Sequence, residues 1–168
     1  MRVAVTGTPG TGKTAATDQL DTELSVVHLN DVIRSEGLTV GHDDERDSAI
    51  ADVDAVAEWL DGREDIVFES HLAHQFDADR VVVLRCHPEE VERRLRSREK
   101  SPASVAENAE SEALDIVLGE AVERHGADRI YEIDTTGLTP AEVASAIEAV
   151  IEGSRDPQAG TVSFIDYL

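Results

Sequence analysis

The stretch "RVAVTGTPGTGKT", residues 2–14, limits what this chain can fold into more than any other part of it. A short apolar run rich in β-branched residues leads into Gly7, Gly12, Lys13 and Thr14, which satisfy the spacing G-x-x-x-x-G-K-[ST]. Helix formers follow at once. Strand, glycine loop and helix in that order turn backbone N–H groups toward an anion with no Cβ in the way, and the helix N-terminus adds its positive end. Lys13 is then placed to reach the β and γ phosphates of a nucleoside triphosphate, and the Thr14 hydroxyl to ligate Mg²⁺.

The rest of the chain repeats the alternation of strand and helix. "SVVHL" (25–29) and "DIVFESH" (65–71) read as short strands, "RVVVLRC" (80–86) as a buried strand of parallel-sheet type, and "RIYEID" (129–134) as a last one. Between them, helices are predicted over "KTAATDQLDTEL" (13–24), over "DVIRSEG" with Asn30 or Asp31 as cap, over 51–60, from Pro88 to about Glu99, and from Ser101 in one long run to about His125. A final helix opens at Thr139 and Pro140 and closes at Gly153. "TVGHDDERDSA" reads as a polar turn. Five strands separated by helices predict an α/β, three-layer sandwich around a five-stranded parallel sheet, of P-loop NTPase type. One domain over 1–153 is expected, followed by a tail, 154–168, of no clear period. Packing of that tail through Phe164, Ile165, Tyr167 and Leu168 and a loose end are both open outcomes.

Composition narrows the partners. The chain has 36 acidic residues against 15 basic ones, a formal charge of −21, and only two of the basic residues, Lys13 and Lys100, are lysines. The carboxylates are dispersed, as suits a surface kept solvated in concentrated salt where repulsion is screened. Strong direct binding to nucleic acid is not expected, because that rests on Lys and Arg neutralising phosphates. The single cysteine, Cys86, permits no intramolecular disulfide and no cysteine metal cluster. No run is long and apolar enough for a membrane span, and the start does not resemble a leader, so a cytoplasmic protein is expected.

Several polar residues are candidates for the chemistry. Glu69 and His71 follow the third strand. Glu69 could bind the water shell of Mg²⁺ or orient a nucleophile, and His71 could relay a proton or contact phosphate. The alternatives are a turn cap and a solvated loop histidine. Arg85, Arg93, Arg94, Arg96 and Arg98 cluster within fourteen residues, with Arg94 and Arg98 on one helical face. Those two are the candidates for neutralising a moving phosphoryl group, while Arg93 and Arg96 are expected to pair with nearby glutamates. Arg34, beside Asp31, is a candidate phosphate clamp for a second substrate or a plain ion pair. The six histidines lack a ligand set for a metal and read as polar surface.

"TGTPGTGKT", "NDVIRSEGL", "GHDDERDSAI", the strand ending in "ESH", "VVVLRCHPEEVERRLRSR" and "AENAESEALDIVLGEA" together resemble, in order and spacing, the archaeal adenylate kinases related to the sixth eukaryotic adenylate kinase isoenzyme. The resemblance spans about Arg2 to Glu152. It implies a nucleoside monophosphate kinase with Mg²⁺, transferring phosphoryl from ATP to AMP, with ATP on Gly10, Gly12, Lys13, Thr14, Ala15 and Arg98. It also implies a monophosphate-binding segment over about 28–51 that includes Asp31 and Arg34, and a short lid over about 97–107. ATPase activity, a role in rRNA processing and small ribosomal subunit maturation, and a basic ribosomal protein as partner are further implications. Two features depart from the pattern: Glu69 stands where many relatives carry an aspartate, and the lid segment lacks an aromatic that some have after the arginine.

Two other activities fit the same residues. An assembly factor could use an ATP cycle to switch its grip on a ribosomal protein, and a P-loop kinase could act on another small metabolite such as shikimate.

Overall fold

The computed structural model describes all 168 residues. Its centre is a five-stranded parallel sheet built from β1 (Arg2–Thr6), β2 (Ser25–His28), β5 (Ile66–Glu69), β6 (Arg80–Arg85) and β7 (Ile130–Asp134), in the order β2-β5-β1-β6-β7. The expected α/β P-loop architecture is therefore present. Alternation along the strands divides the core into two layers. Val3 and Val5 of β1, with Val82 and Leu84 of β6, face Ala16 and the stripe Val143, Ile147 and Val150 of α7 (Pro140–Glu152). Ala4, Phe68, Val81 and Val83 face the other way, onto Leu29 and Ile33 of α2 (Leu29–Ser35), Val56 and Leu60 of α3 (Val53–Leu60), and Leu118 and Ala121 of α6 (Ile116–His125). Burial on both faces explains why β6 reads as an unbroken apolar run.

The local departures from expectation have physical causes. α1 spans only Lys13–Thr17, not the full stretch to residue 24. The Thr17 hydroxyl donates back to the Lys13 carbonyl at 2.9 Å, a local bond that competes with helix continuation. Leu20 and Leu24 still pack on the core, but from an irregular segment. α2 starts at Leu29 after the extended His28, ahead of both expected caps, and Asn30 instead accepts a hydrogen bond from the Ser70 hydroxyl at 3.2 Å. The polar stretch after α2 is a hairpin, β3 (Thr39–Asp43) and β4 (Ser48–Ala51), closed where Asp43 Oδ1 accepts from the backbone of Glu45 and Arg46. Both strands are largely exposed, so no apolar alternation announces them.

The long helix expected to reach His125 is two helices, α5 (Pro102–Ala113) and α6, parted at Asp115, which adopts a left-handed conformation at φ 57°. An ion pair from Asp115 to Arg85 holds that break. The register changes there, leaving Ile116 exposed and Leu118 buried. α4 (Pro88–Ser97) begins at its proline as expected. The tail is fastened: Gln158 bridges to Tyr131, the backbone N–H of Thr161 and Val162 each donate to Glu132 Oε1 at 2.9 Å, and the Tyr167 hydroxyl bonds to Glu92. Phe164 and Tyr167 turn inward, whereas Ile165 and Leu168 stay exposed. No helix is long and apolar enough to cross a membrane.

Candidate functional site

Ligands of parallel α/β sheets bind outside the carboxyl ends of the strands, and here those ends deliver the predicted residues. β1 runs directly into the glycine loop. Gly7 is required there by close approach: a Cβ would lie 2.6 Å from the Leu84 carbonyl oxygen and 2.7 Å from Thr11 Oγ1. Gly12, at φ 94°, makes the turn into α1 in a conformation that L side chains rarely adopt. The far side of the loop is held by Thr135 at the end of β7, whose hydroxyl lies 3.1 Å from the Thr11 carbonyl oxygen.

Lys13 is buried, and its Nζ donates to the carbonyls of Gly7 at 2.9 Å and Thr8 at 3.2 Å. Burial lowers its pKa to about 8, and the nearby Arg98 guanidinium pushes the same way against the opposing charges of Glu69 and Glu112. The ammonium therefore rests on backbone carbonyls beside the loop, poorly solvated. Thr14 and Ala15 are exposed on the open side of α1.

Glu69, at the tip of β5, is 3 % exposed, and its Oε1 accepts from the Thr14 hydroxyl at 3.0 Å. The structure thus brings the two predicted metal-side residues together. A hydroxyl and a carboxylate, both hard oxygen donors, fit Mg²⁺, which is commonly held by few protein groups and completed by waters and substrate phosphates. The chain has no denser cluster of metal-ligating side chains. His28, at the end of β2, was not singled out by sequence reasoning. Its Nδ1 lies 2.7 Å from Glu69 Oε1 and its Nε2 2.9 Å from Asp18 Oδ1. Burial opposes charge on this ring, but the hydrogen bonds and charges of Glu69 and Asp18 outweigh it and raise the pKa.

His71 lies near the loop, and burial, with help from Lys13 and His74, lowers its pKa to about 4. A ring neutral at physiological pH carries no charge to pair with phosphate, and with a pKa of about 4 it is a weak base. Nor are all six histidines surface groups, as composition suggested. His74 is 2 % exposed, with Nδ1 2.7 Å from Thr6 Oγ1 and Nε2 2.7 Å from Glu120 Oε2, because the Thr6 hydroxyl at the end of β1 needs a partner.

The arginine cluster divides. Arg93 pairs with Glu90 at 2.6 Å and Arg96 with Glu92 at 3.1 Å, as expected of a solvated face. Arg94 reaches the loop and donates to the Gly10 carbonyl at 3.2 Å while Nε holds Glu90 at 2.9 Å. Arg98 caps α4, exposed and close enough to Lys13 for the two charges to act on each other. Arg85 turns away from the site toward the buried carboxylates of Glu112 and Glu132 and the half-buried one of Asp115. Arg34 pairs with Asp31 one helical turn away, both exposed on α2, and neither bonds to Lys13 or Glu69.

Known proteins resemble this chain in sequence and in fold. Residues 3–115 match a family model described as "AAA domain". Proteins named "Putative adenylate kinase" from Natronomonas pharaonis and Halobacterium salinarum are each 60% identical to this chain, with all of both chains covered. One of the same name from Methanothermobacter thermautotrophicus is 41% identical over 99% of this chain and 98% of its own. Among solved structures, a shikimate kinase from Acinetobacter baumannii superposes with a TM-score of 0.64 at 16% identity, covering 92% of this chain and 94% of that one. A gluconokinase from Sinorhizobium meliloti 1021 gives 0.52 at 17% identity, over 91% and 94%. At such identity these two share the fold. By identity along its whole length, the chain belongs to the archaeal family that bears the adenylate kinase name.

Proposed function

We propose that this protein is an adenylate kinase, transferring the γ-phosphoryl group of ATP to AMP in the cytoplasm with Mg²⁺ as cofactor. The observation that carries the proposal is the convergence of Lys13, Thr14 and Glu69 at one mouth of the sheet, with Arg94 and Arg98 on the adjoining end of α4. The full-length relatives named for this activity support it.

In this reading the backbone of Gly10, Gly12, Lys13, Thr14 and Ala15 cradles the ATP phosphates, and Lys13 leaves the Gly7 and Thr8 carbonyls for the β and γ oxygens. Thr14 and Glu69 would hold the metal, Glu69 through water. The metal would supply charge neutralisation of the phosphates. Arg98 and Arg94 stabilise negative charge on the moving group, and positioning does the rest, since the protein has little covalent chemistry to perform. Neutral His71 offers a ring nitrogen for hydrogen bonding beside the loop, since the ionised AMP phosphate carries no proton to give up. The second substrate enters over about 28–51, where Arg34 exchanges Asp31 for the monophosphate, and a lid over about 97–107 closes on ATP.

The proposal extends to slow ATP hydrolysis and to a part in small ribosomal subunit maturation with a basic ribosomal protein. Support comes from the block-by-block resemblance and from an acidic surface able to grip such a partner. The same acidity supports adaptation to molar salt, in line with relatives from Natronomonas and Halobacterium.

An acceptor panel tests the substrate. Protein in molar KCl with Mg²⁺ and ATP is offered AMP, GMP, CMP, UMP, shikimate and gluconate, and products are separated by anion exchange. AMP should be the best acceptor. Phosphorylation of shikimate or gluconate in preference to every nucleotide would overturn the assignment.

A further inference from the structure

Behind the phosphate loop, on the side away from solvent, lies a network of ions that the proposed chemistry does not use. Arg85, Glu112 and Glu132 are 1 %, 2 % and 2 % exposed. Arg85 Nε donates to Glu112 Oε1 at 2.9 Å, its Nη1 to Glu132 Oε2 at 3.0 Å, and its Nη2 to Asp115. One guanidinium faces three carboxylates, so neutral donors must supply the remainder. The Cys86 N–H gives one to Glu112 Oε1 at 2.9 Å, and the tail backbone serves Glu132. The last donor is Thr8 of the phosphate loop, also fully buried, whose hydroxyl donates to Glu112 Oε2 at 2.6 Å.

Such a network is a poor device for stability alone, since well-packed apolar residues serve at least as well. What distinguishes this one is where it ends. The Thr8 carbonyl accepts from Thr11 N at 3.2 Å, from Thr11 Oγ1 at 2.8 Å and from Lys13 Nζ at 3.2 Å. The Thr8 side chain is gripped from below while its peptide sets the hydrogen bonds of the loop's interior. A loop held this way need not be ordered when the ligand arrives, which improves affinity. Glu112 sits in the last turn of α5, the helix that begins within the segment 97–107.

We infer that Glu112 is a positioning residue, anchoring Thr8 and thereby presetting the phosphate loop for nucleoside triphosphate; this rests on the phosphate-loop reading above. The pair also links the loop mechanically to the helix that starts within the lid segment.

The test uses the full chain in molar KCl and titration calorimetry with Mg²⁺ and AMPPNP, which the protein cannot hydrolyse at the β–γ bridge. Thr8→Val keeps the shape and removes the donor; Thr8→Ser restores it. Thr8→Val should bind AMPPNP roughly tenfold more weakly, the scale of one hydrogen bond to a charged group. Thr8→Ser should recover most of that, and affinity for AMP should be unchanged in both. In a Glu112→Ala background, if that variant folds, Thr8→Val should add little further loss.

Wild-type protein that takes up no AMPPNP overturns the phosphate-loop reading and the anchor with it. Wild type that binds, with Thr8→Val binding equally tightly or losing AMP affinity in step, overturns the anchor alone. A lowered melting temperature with unchanged AMPPNP affinity also overturns it, because a merely structural network would behave that way.

Discussion

Arg46, in the turn of the β3–β4 hairpin, holds Glu107 of α5 with two prongs, Nε to Oε2 at 2.9 Å and Nη2 to Oε1 at 2.6 Å. A third bond, Nη1 to Asp43 Oδ2 at 2.7 Å, fixes the guanidinium to its own hairpin. The pair joins the proposed acceptor-side segment to the end of the proposed lid, in the first half of α5.

Both partners are about half exposed, so the pair should matter little for folding and more for closure. Arg46→Ala is expected to leave the melting midpoint within about 2 °C and to raise the KM for AMP about two- to fivefold. Glu107→Ala should match it, and the double variant should be no worse. Fully additive losses would show that the residues act separately.

Arg98 is exposed and enters none of the ion pairs that occupy Arg93, Arg94 and Arg96. A cation left unpaired at the mouth of the loop is available for charge that appears during transfer. Arg98→Ala should lower kcat about 100-fold or more while AMPPNP affinity stays within about threefold. Unchanged turnover removes Arg98 from the mechanism.

Acid should destabilise the ligand-free protein through its inward histidines. His71 titrates at about 4 in the folded chain, against about 6.5 when unfolded, and the His74 pKa is lowered as well. Below pH 6.5 the unfolded chain takes up protons that the folded chain does not, so stability is complete above that pH and falls toward pH 4. Between pH 7 and 5 His71 alone should cost about 2 kcal/mol. Urea denaturation with EDTA present, on wild type and His71→Asn, checks this; equal slopes with pH in the two proteins would contradict it.

The tail is expected to be a structural part of the domain. Truncation after Pro157 removes the Thr161 N–H and hydroxyl and the Val162 N–H, which all donate to buried Glu132 Oε1 at 2.9 Å. An ion left without those donors should cost about 3 kcal/mol, roughly 6–12 °C in melting midpoint. A truncated protein that melts within 2 °C of the full chain would contradict this.

The sheet and the phosphate loop were legible because each is written locally. Val81 to Leu84 announce a doubly buried strand, and Gly7, Gly12, Lys13 and Thr14 a phosphate loop, within a few residues. The hairpin was not, since strands without a buried face carry no alternation, and neither was the break at Asp115, which depends on a partner thirty residues away in Arg85. The site shows the same divide. Glu69 followed from its place after a strand, but His28 meets it only through the pairing of β2 with β5, and brings Asp18 on its other ring nitrogen. Thr8 and Glu112 are 104 positions apart, beyond any local pattern. Arg85 was misgrouped with the α4 arginines because proximity in sequence says nothing about which end of a side chain is buried.

The most direct test of the central claim is phosphorus NMR of the purified protein in molar KCl with Mg²⁺ and ATP, with and without AMP. An adenylate kinase replaces the ATP and AMP resonances together by those of ADP, with little free phosphate. Release of free phosphate at a rate indifferent to AMP, with the AMP resonance left unchanged, would contradict that claim and mark the protein as an ATPase alone.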